Sequence, residues 1–535
     1  MSDLAASERR IKCEFEVPHV RATDLERATV EARHRGEELT RDLNSPENFS
    51  SAIFGLPEEI LIIVFEHLVE ADVGGHTMSR KAGPWVVAQT CRRWRHLALS
   101  TPSLWTLIRI NTLLLPRQPM TMLRLWLERS QALPLSCLLL LHHHPSTPDV
   151  ENDILQLVME NSYRWRHLDV DLKFRHDLYS RIVSTGDLRL PVLQSLRILV
   201  NFALGAANNQ PDPETSLPSA ATWTAPALTG ASLLIFAPSS FESIPILPWS
   251  QLTELAISFA TSTSFNEIMT SLTRLERCHL HLGSQFIVAG QAVRLAPSLR
   301  RLEVAGPLSS VVNGLSCLVC NGLVELGLNP PGISTLPHLT ARRLLESISH
   351  FQDRSSCQLQ QLRIPITLFS FPESARVADS LSTVQALHLR VEHRTGAREA
   401  IWTIKTSDIF PNLKELYLIV YKDGIGPGEF FASLLFEIVD MVEARRALPA
   451  GSSQCTQLQC LEIDTIKYGG RPNTSLPVNQ EVAERLSTLE RDGLILLGRV
   501  ADGEWRPQHP ATSHWDLEAN TRRWARFGHC NWLVD

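Results

Sequence analysis

The chain has 535 residues, more than one hydrophobic core can serve, so several domains or one elongated repeat array is expected. Its 44% hydrophobic and 20% charged composition is that of an ordinary globular protein, and a net charge of -6 over the whole length gives no reason to expect a nucleic acid partner. The first ten residues are polar and charged, no apolar run reaches the ~18 residues of a membrane span, and the ten cysteines form no regular framework. Together these predict a cytoplasmic or nuclear chain with reduced thiols and no membrane partner.

Residues 21–43 read as a polar helix whose Leu25, Leu39 and Leu43 are too sparse for a coiled-coil seam, so 1–50 is expected to be a partly disordered leader. Asn44-Ser45-Pro46-Glu47-Asn48 marks its end. Leu56-Pro57-Glu58-Glu59-Ile60-Leu61 then opens a helix, with a Pro in the first turn and acids suited to the positive end of the helix dipole. Ile60, Leu61, Val64, Phe65 and Leu68 fall on one helical face. A loop containing Gly74-Gly75 leads to a second helical segment, with Val87, Cys91, Trp94 and Ala98 in one stripe. Thr101-Pro102 starts a further short turn, from which Trp105 can lie back on the helices.

The spaced words Leu-Pro-Glu-Glu-Ile-Leu, Pro-Trp-Val-Val, Cys-Arg-Arg-Trp-Arg and Ser-Thr-Pro-Ser-Leu-Trp resemble the F-box proteins expanded in mushroom-forming fungi. Val87 and Thr90 depart from the usual Leu and Val without breaking the stripe. The resemblance implies that 51–110 is an F-box in which Leu56, Pro57, Ile60, Leu61, Val64, Phe65, Leu68, Val87, Cys91 and Trp94 bind a Skp-family adaptor, and through it a cullin-RING ubiquitin ligase.

Residues 111–160 read as a transition, with a helix around Leu123, Trp126 and Leu127 and an apolar strand at 135–141. From 161 to 500 the pattern Leu-x-x-Leu-x-Leu recurs, beginning at Trp165, Leu193, Leu228, Leu252, Leu275, Leu299, Leu323, Leu359, Val384, Leu413 and Leu458. From Leu228 to Leu323 the intervals are 24, 23, 24 and 24 residues, within the period of leucine-rich repeats. Each unit predicts a short strand with alternate apolar residues inward, and stacked units make an irregular solenoid. Pro191, Pro226, Pro297 and Pro411 stand two residues before a leading Leu, where they can set the bend into the strand. Residues 205–222 are expected to loop out. The fold class is therefore α+β or α/β repeat: a small helical F-box followed by an irregular leucine-rich-repeat solenoid.

No phosphate loop, nucleophile elbow, zinc-protease helix or dinucleotide fingerprint is present, so no catalytic residue, metal or cofactor is assigned. Cys317-Leu318-Val319-Cys320 lacks a second ligand pair at suitable spacing, and His142-His143-His144 reads as a strand running into a turn. Trp505, Trp515, Trp524 and Trp532 with Arg522-Arg523 read as a C-terminal cap or tail over 501–535. The outward strand residues Arg300, Arg301, Glu303, Glu325, Gln360, Gln361, Arg363, Lys414 and Glu415 are the candidates for holding an unknown target protein. The expected function is the substrate-recognition subunit of an SCF-type ubiquitin ligase, a non-catalytic receptor; the alternative is a non-degradative F-box scaffold.

Overall fold

The computed structural model describes residues 29–35 and 52–506, apart from residue 32 and a set of connecting segments, the longest being 202–221, 371–380 and 467–475. The leader helix is described only at 29–31 and 33–35, which are helical and exposed. The rest of 21–43, the loop 205–221, His143 and His144, and Trp515, Trp524 and Trp532 lie outside the described residues.

The chain divides into two compact units, residues 1–68 and 69–535. In the first, a turn at Ala52–Gly55 leads into helix α1, Glu58–Ala71. The amide of Leu61 donates to the Pro57 carbonyl at 3.1 Å, and Glu58 and Glu59 stand in the first turn, where the unpaired amides favour negative charge.

In the second unit the stripe read through Val87, Cys91, Trp94 and Ala98 is not one helix. Helix α2, Pro84–Thr90, stops at Cys91, whose backbone is extended (φ -152, ψ 172), and α3, Arg92–Ser100, starts directly after it. The Cys91 thiol accepts from the Trp94 amide at 3.4 Å and so caps α3, while Arg95 Nε donates to the Ala88 carbonyl at 2.8 Å and satisfies the end of α2. Local capping outweighs the continuous periodicity here. Trp105 does lie back: it is fully buried, its indole N–H donates to the Ala98 carbonyl at 2.8 Å, and it stands edge-on between Trp85 (5.1 Å) and Trp126 (4.9 Å). Trp126 sits on α4, Pro119–Arg129, and the Arg129 guanidinium lies 4.7 Å from the Trp85 ring and 4.5 Å from that of Trp105.

The rest of the second unit is organised by one parallel sheet of 14 strands, in which spatial order equals chain order. Its strands are β1 Leu107–Asn111, β2 Leu135–His142, β3 Trp165–Lys173, β4 Ser195–Asn201, β5 Gly230–Phe236, β6 Glu254–Phe259, β7 Arg277–Leu282, β8 Arg301–Ala305, β9 Glu325–Asn329, β10 Gln361–Pro365, β11 Ala386–Val391, β12 Glu415–Tyr421, β13 Cys460–Ile466 and β14 Ile495–Leu496. The sheet starts well before residue 161: β1 falls inside the stretch read as the helical box, and β2 inside the transition.

The predicted repeat starts at Leu193, Leu228, Leu299 and Leu413 share one physical form. The leading Leu lies two residues ahead of its strand, buried, and its amide donates to the residue three before it, as in Leu193 to Leu190 (3.3 Å), Leu228 to Ala225 (3.1 Å), Leu299 to Ala296 (3.0 Å) and Leu413 to Phe410 (3.1 Å). In these four turns the second residue is Pro191, Pro226, Pro297 or Pro411, the turn position for which proline's fixed φ is suited and where no N–H is needed. The amides that follow reach back to one carbonyl of the preceding unit: Arg300 and Arg301 both donate to Glu276, Val324 and Glu325 both to Arg300. Parallel pairing then aligns Leu255, Cys278, Leu302 and Leu326 in one row, and Leu362, Leu387, Leu416, Leu461 and Leu496 continue it. All are buried, so a single apolar layer runs along one side of the sheet. Helices such as Leu308–Cys317, His338–Ser355 and Glu429–Arg446 bring the chain back between strands.

Two arginines, Arg445 buried and Arg354 exposed, stitch these crossovers. Arg445 donates to the Ile404, Ile409 and Phe410 carbonyls, and Arg354 to those of Leu315 and Leu318, satisfying acceptors that helix ends and turns leave open. Burial pushes the Cys317 thiol up to about 11 and that of Cys320 well above its ordinary value, which disfavours the thiolate needed for metal or redox chemistry.

Candidate functional site

The stripe predicted on α1 divides in two. Leu61, Phe65 and Val69, spaced i, i+4 and i+8, are buried, whereas Ile60, Ile63, Val64 and Leu68 stand 44%, 49%, 42% and 43% exposed. Leu56 is half-buried and Pro57 exposed. An apolar ridge of about two helical turns therefore faces outward, with Glu58 and Glu59 exposed at its start. Leu61 and Phe65 have no surface to offer a partner; they belong to packing within the free chain.

In the second unit Val87 is likewise buried, while Cys91 and Trp94 are half-buried. Cys91 acts as the α3 cap, a role that helical spacing concealed. Beside them Val86 and Leu99 are exposed at 41% and 39%.

The nine candidate target-binding residues fall into three rows of the sheet. Arg300, Gln360 and Lys414 lie at the strand entries; the Arg300 guanidinium donates to the Gly322 carbonyl at 3.0 Å and Lys414 Nζ to Gln385 at 3.3 Å. Arg301, Glu325, Gln361 and Glu415 share a second row with Ala386 between the last two, and Arg301 Nε lies 3.7 Å from Glu325. This row continues to Arg277, which pairs with Glu254. Glu303 and Arg363 belong to a third row, which reads His279, Glu303, Gly327, Arg363, His388, Tyr417, Glu462.

Sequence reading missed His279, Gly327, His388, Tyr417 and Glu462, and the signal for them was the third residue of each strand once register is known. His388 and Tyr417 stack with ring centroids 4.1 Å apart and 2° between planes, and the Tyr417 hydroxyl donates to Glu415 at 2.9 Å. Burial lowers the pKa of His388 well below its ordinary value, and Arg363 and Arg301 add to the effect. Burial also lowers that of His279. Burial pushes the Glu303 carboxyl up, but the imidazole of His279 and the guanidiniums of Arg363, Arg301 and Arg390 around it outweigh it and hold it below the usual carboxylate range. Further along the same face, Arg197 grips Asp169 with one nitrogen at 3.0 and 2.9 Å from its two oxygens, both side chains buried. The face is thus built of ordered, mutually compensated charges.

Among the described residues no group of three or more His, Cys, Asp or Glu side chains is arranged to hold a metal ion, and no helix is long and apolar enough to cross a membrane.

Residues 53–111 match the family model of an F-box-like domain. The match takes in α1, α2, α3, the Trp105 turn and β1, the first strand of the sheet. F-box-like domains generally bind Skp-type adaptors and serve ubiquitin ligases or other protein-interaction assemblies. Among curated proteins no match to the chain is found.

Proposed function

We propose that the chain is the target-recognition subunit of an SCF-type cullin-RING ubiquitin ligase. The ridge of Ile60, Ile63, Val64 and Leu68 docks a Skp-family adaptor, and the sheet, read as an irregular leucine-rich repeat, holds a target protein. The observation that carries this reading is the coincidence of the F-box-like match with a helix that leaves four large aliphatic side chains uncovered. An exposed apolar ridge on a small helical module is what a partner's groove would cover.

The chain itself contributes no reacting group in this reading. It acts by proximity, raising the effective concentration of a target near a transfer enzyme carried by other subunits. Its place of work is the cytoplasm or nucleus.

Co-purification tests the reading. The full chain should capture a Skp-family adaptor and a cullin, and a chain lacking residues 56–105 should capture neither while keeping its other partners. Turnover of one such partner should depend on residues 56–105. Capture of the adaptor with no partner turned over would favour the non-degradative scaffold, and no adaptor capture at all would overturn both.

A further inference from the structure

Strand β1 stands at one end of the strand order, beside β2. Its other edge is bonded to residues 76–78, which lie between α1 and α2. The Thr77 amide donates to the Arg109 carbonyl at 2.9 Å, and the Arg109 amide donates to Thr77 Oγ1 at 2.6 Å. Two residues further along β1, the Asn111 carbonyl meets Nε2 of the buried His76 ring at 2.9 Å. A bare edge offers its open amides and carbonyls to any other strand, and these three bonds cover them. Both the segment and the strand lie inside the matched residues 53–111.

One proton decides whether the ring fits. The Met78 amide donates to His76 Nδ1 at 3.0 Å, so Nδ1 must carry a lone pair. The Asn111 carbonyl can only accept, so Nε2 must carry the hydrogen. Together the two bonds fix a single neutral tautomer. A second proton would have to go on Nδ1, where it meets the Met78 N–H and breaks that bond. Only 7% of His76 is exposed, so the cation would lose its hydration as well. Burial accordingly lowers the pKa of the ring, and the Asn111 bond opposes it. The ionisable groups on the elements that meet here are Arg109 on β1, whose guanidinium donates to the Glu70 carbonyl at 3.3 Å, the Glu70 carboxylate at the end of α1, Lys81 and His142 on β2. None of them supplies the ring with a counter-charge.

We propose that residues 76–78 are a proton-sensitive clasp on the outer edge of β1, closed while His76 is neutral and opened when Nδ1 takes up a proton. Opening bares the Arg109 and Asn111 backbone groups and releases the connection between α1 and α2 from the sheet. The open segment protonates near the ordinary histidine value of about 6.5 and the closed one below it, so opening is suppressed above that pH and gains as pH falls through it. None of this depends on adaptor docking or target binding.

Hydrogen exchange of the full chain, read by mass spectrometry in peptides covering 76–79 and 107–111, tests the clasp. Corrected for intrinsic exchange, protection in both should fall severalfold from pH 7.5 to pH 5.5, with about tenfold as the one-proton limit. Peptides from the helix Glu429–Arg446, which contains no histidine, should hold their protection over the same range. That comparison separates clasp opening from a general loss of stability. His76→Gln cannot take up the proton, so its clasp peptides should show a flat profile at whatever protection they retain. A flat profile in the parent, a fall matched in the helix, or an undiminished fall in a folded His76→Gln would overturn the clasp. The parent measured against its own helix decides the matter even if the variant does not fold.

Discussion

Placing carboxylates on the α1 ridge should separate docking from folding. Ile60 and Val64 are 44% and 42% exposed in the free chain. Full burial of such a side chain is worth about 1.5–3 kcal/mol, so covering the remaining two fifths is worth about 1 kcal/mol each. Ile60→Asp with Val64→Asp removes that gain and leaves two unpaired carboxylates facing an apolar groove, a further penalty of at least ~2 kcal/mol. The total of about 4 kcal/mol corresponds to a loss of ~10³-fold in adaptor affinity. Stability should fall by roughly 1–2 kcal/mol per site, because the three fifths of each side chain already covered loses its burial as well, so affinity is read on preparations shown to be folded. Leu61→Ala is the counterpart: it is fully buried, so truncation should cost about 2–5 kcal/mol of folding stability. Isothermal titration of a purified Skp-family adaptor, with urea unfolding of the same preparations, reads both quantities. Unchanged affinity in the folded double aspartate variant would refute the assignment of the ridge, and an unchanged unfolding midpoint in Leu61→Ala would refute the division of the stripe.

Gly306 follows β8 at φ +126, and a Cβ there would stand 2.1 Å from the Leu282 carbonyl oxygen, so Gly306→Ala should lower stability by at least about 2 kcal/mol in chemical denaturation. His76, His167, His279, His281 and His388 are all held below their ordinary value by burial, His281 to about 4. Below the unfolded value near 6.5 the unfolded chain takes up protons that the folded chain refuses. Stability is therefore fully present above that pH and declines as pH falls toward about 4, and His281→Gln should flatten the decline. Arg129→Met keeps the side chain's length but removes its charge from over Trp85 and Trp105, so a loss of roughly 1 kcal/mol is expected by thermal unfolding, with a smaller loss for Arg129→Lys.

The short-range rules of this chain were legible in its residues alone. A Pro standing two residues before a repeat-leading Leu specifies a turn and a buried anchor, and this holds at 191, 226, 297 and 411 because the proline ring sets its own φ and the Leu has only one apolar layer to enter. The same locality made the start of α1 readable from Pro57, Glu58 and Glu59. What periodicity could not decide was how much of a stripe is covered: Leu61 and Phe65 are adjacent on the helix surface to Ile60 and Val64, and only tertiary packing assigns one pair to the interior and the other to solvent. Nor could it see that Cys91 ends one helix and caps the next, since a thiol accepting an amide leaves no trace in hydrophobic spacing. The rows of the sheet face lie furthest from the sequence. Glu303, Gly327 and Arg363 are separated by 24 and 36 residues along the chain, and parallel register alone makes them neighbours, because a one-residue slip would send each side chain to the opposite face.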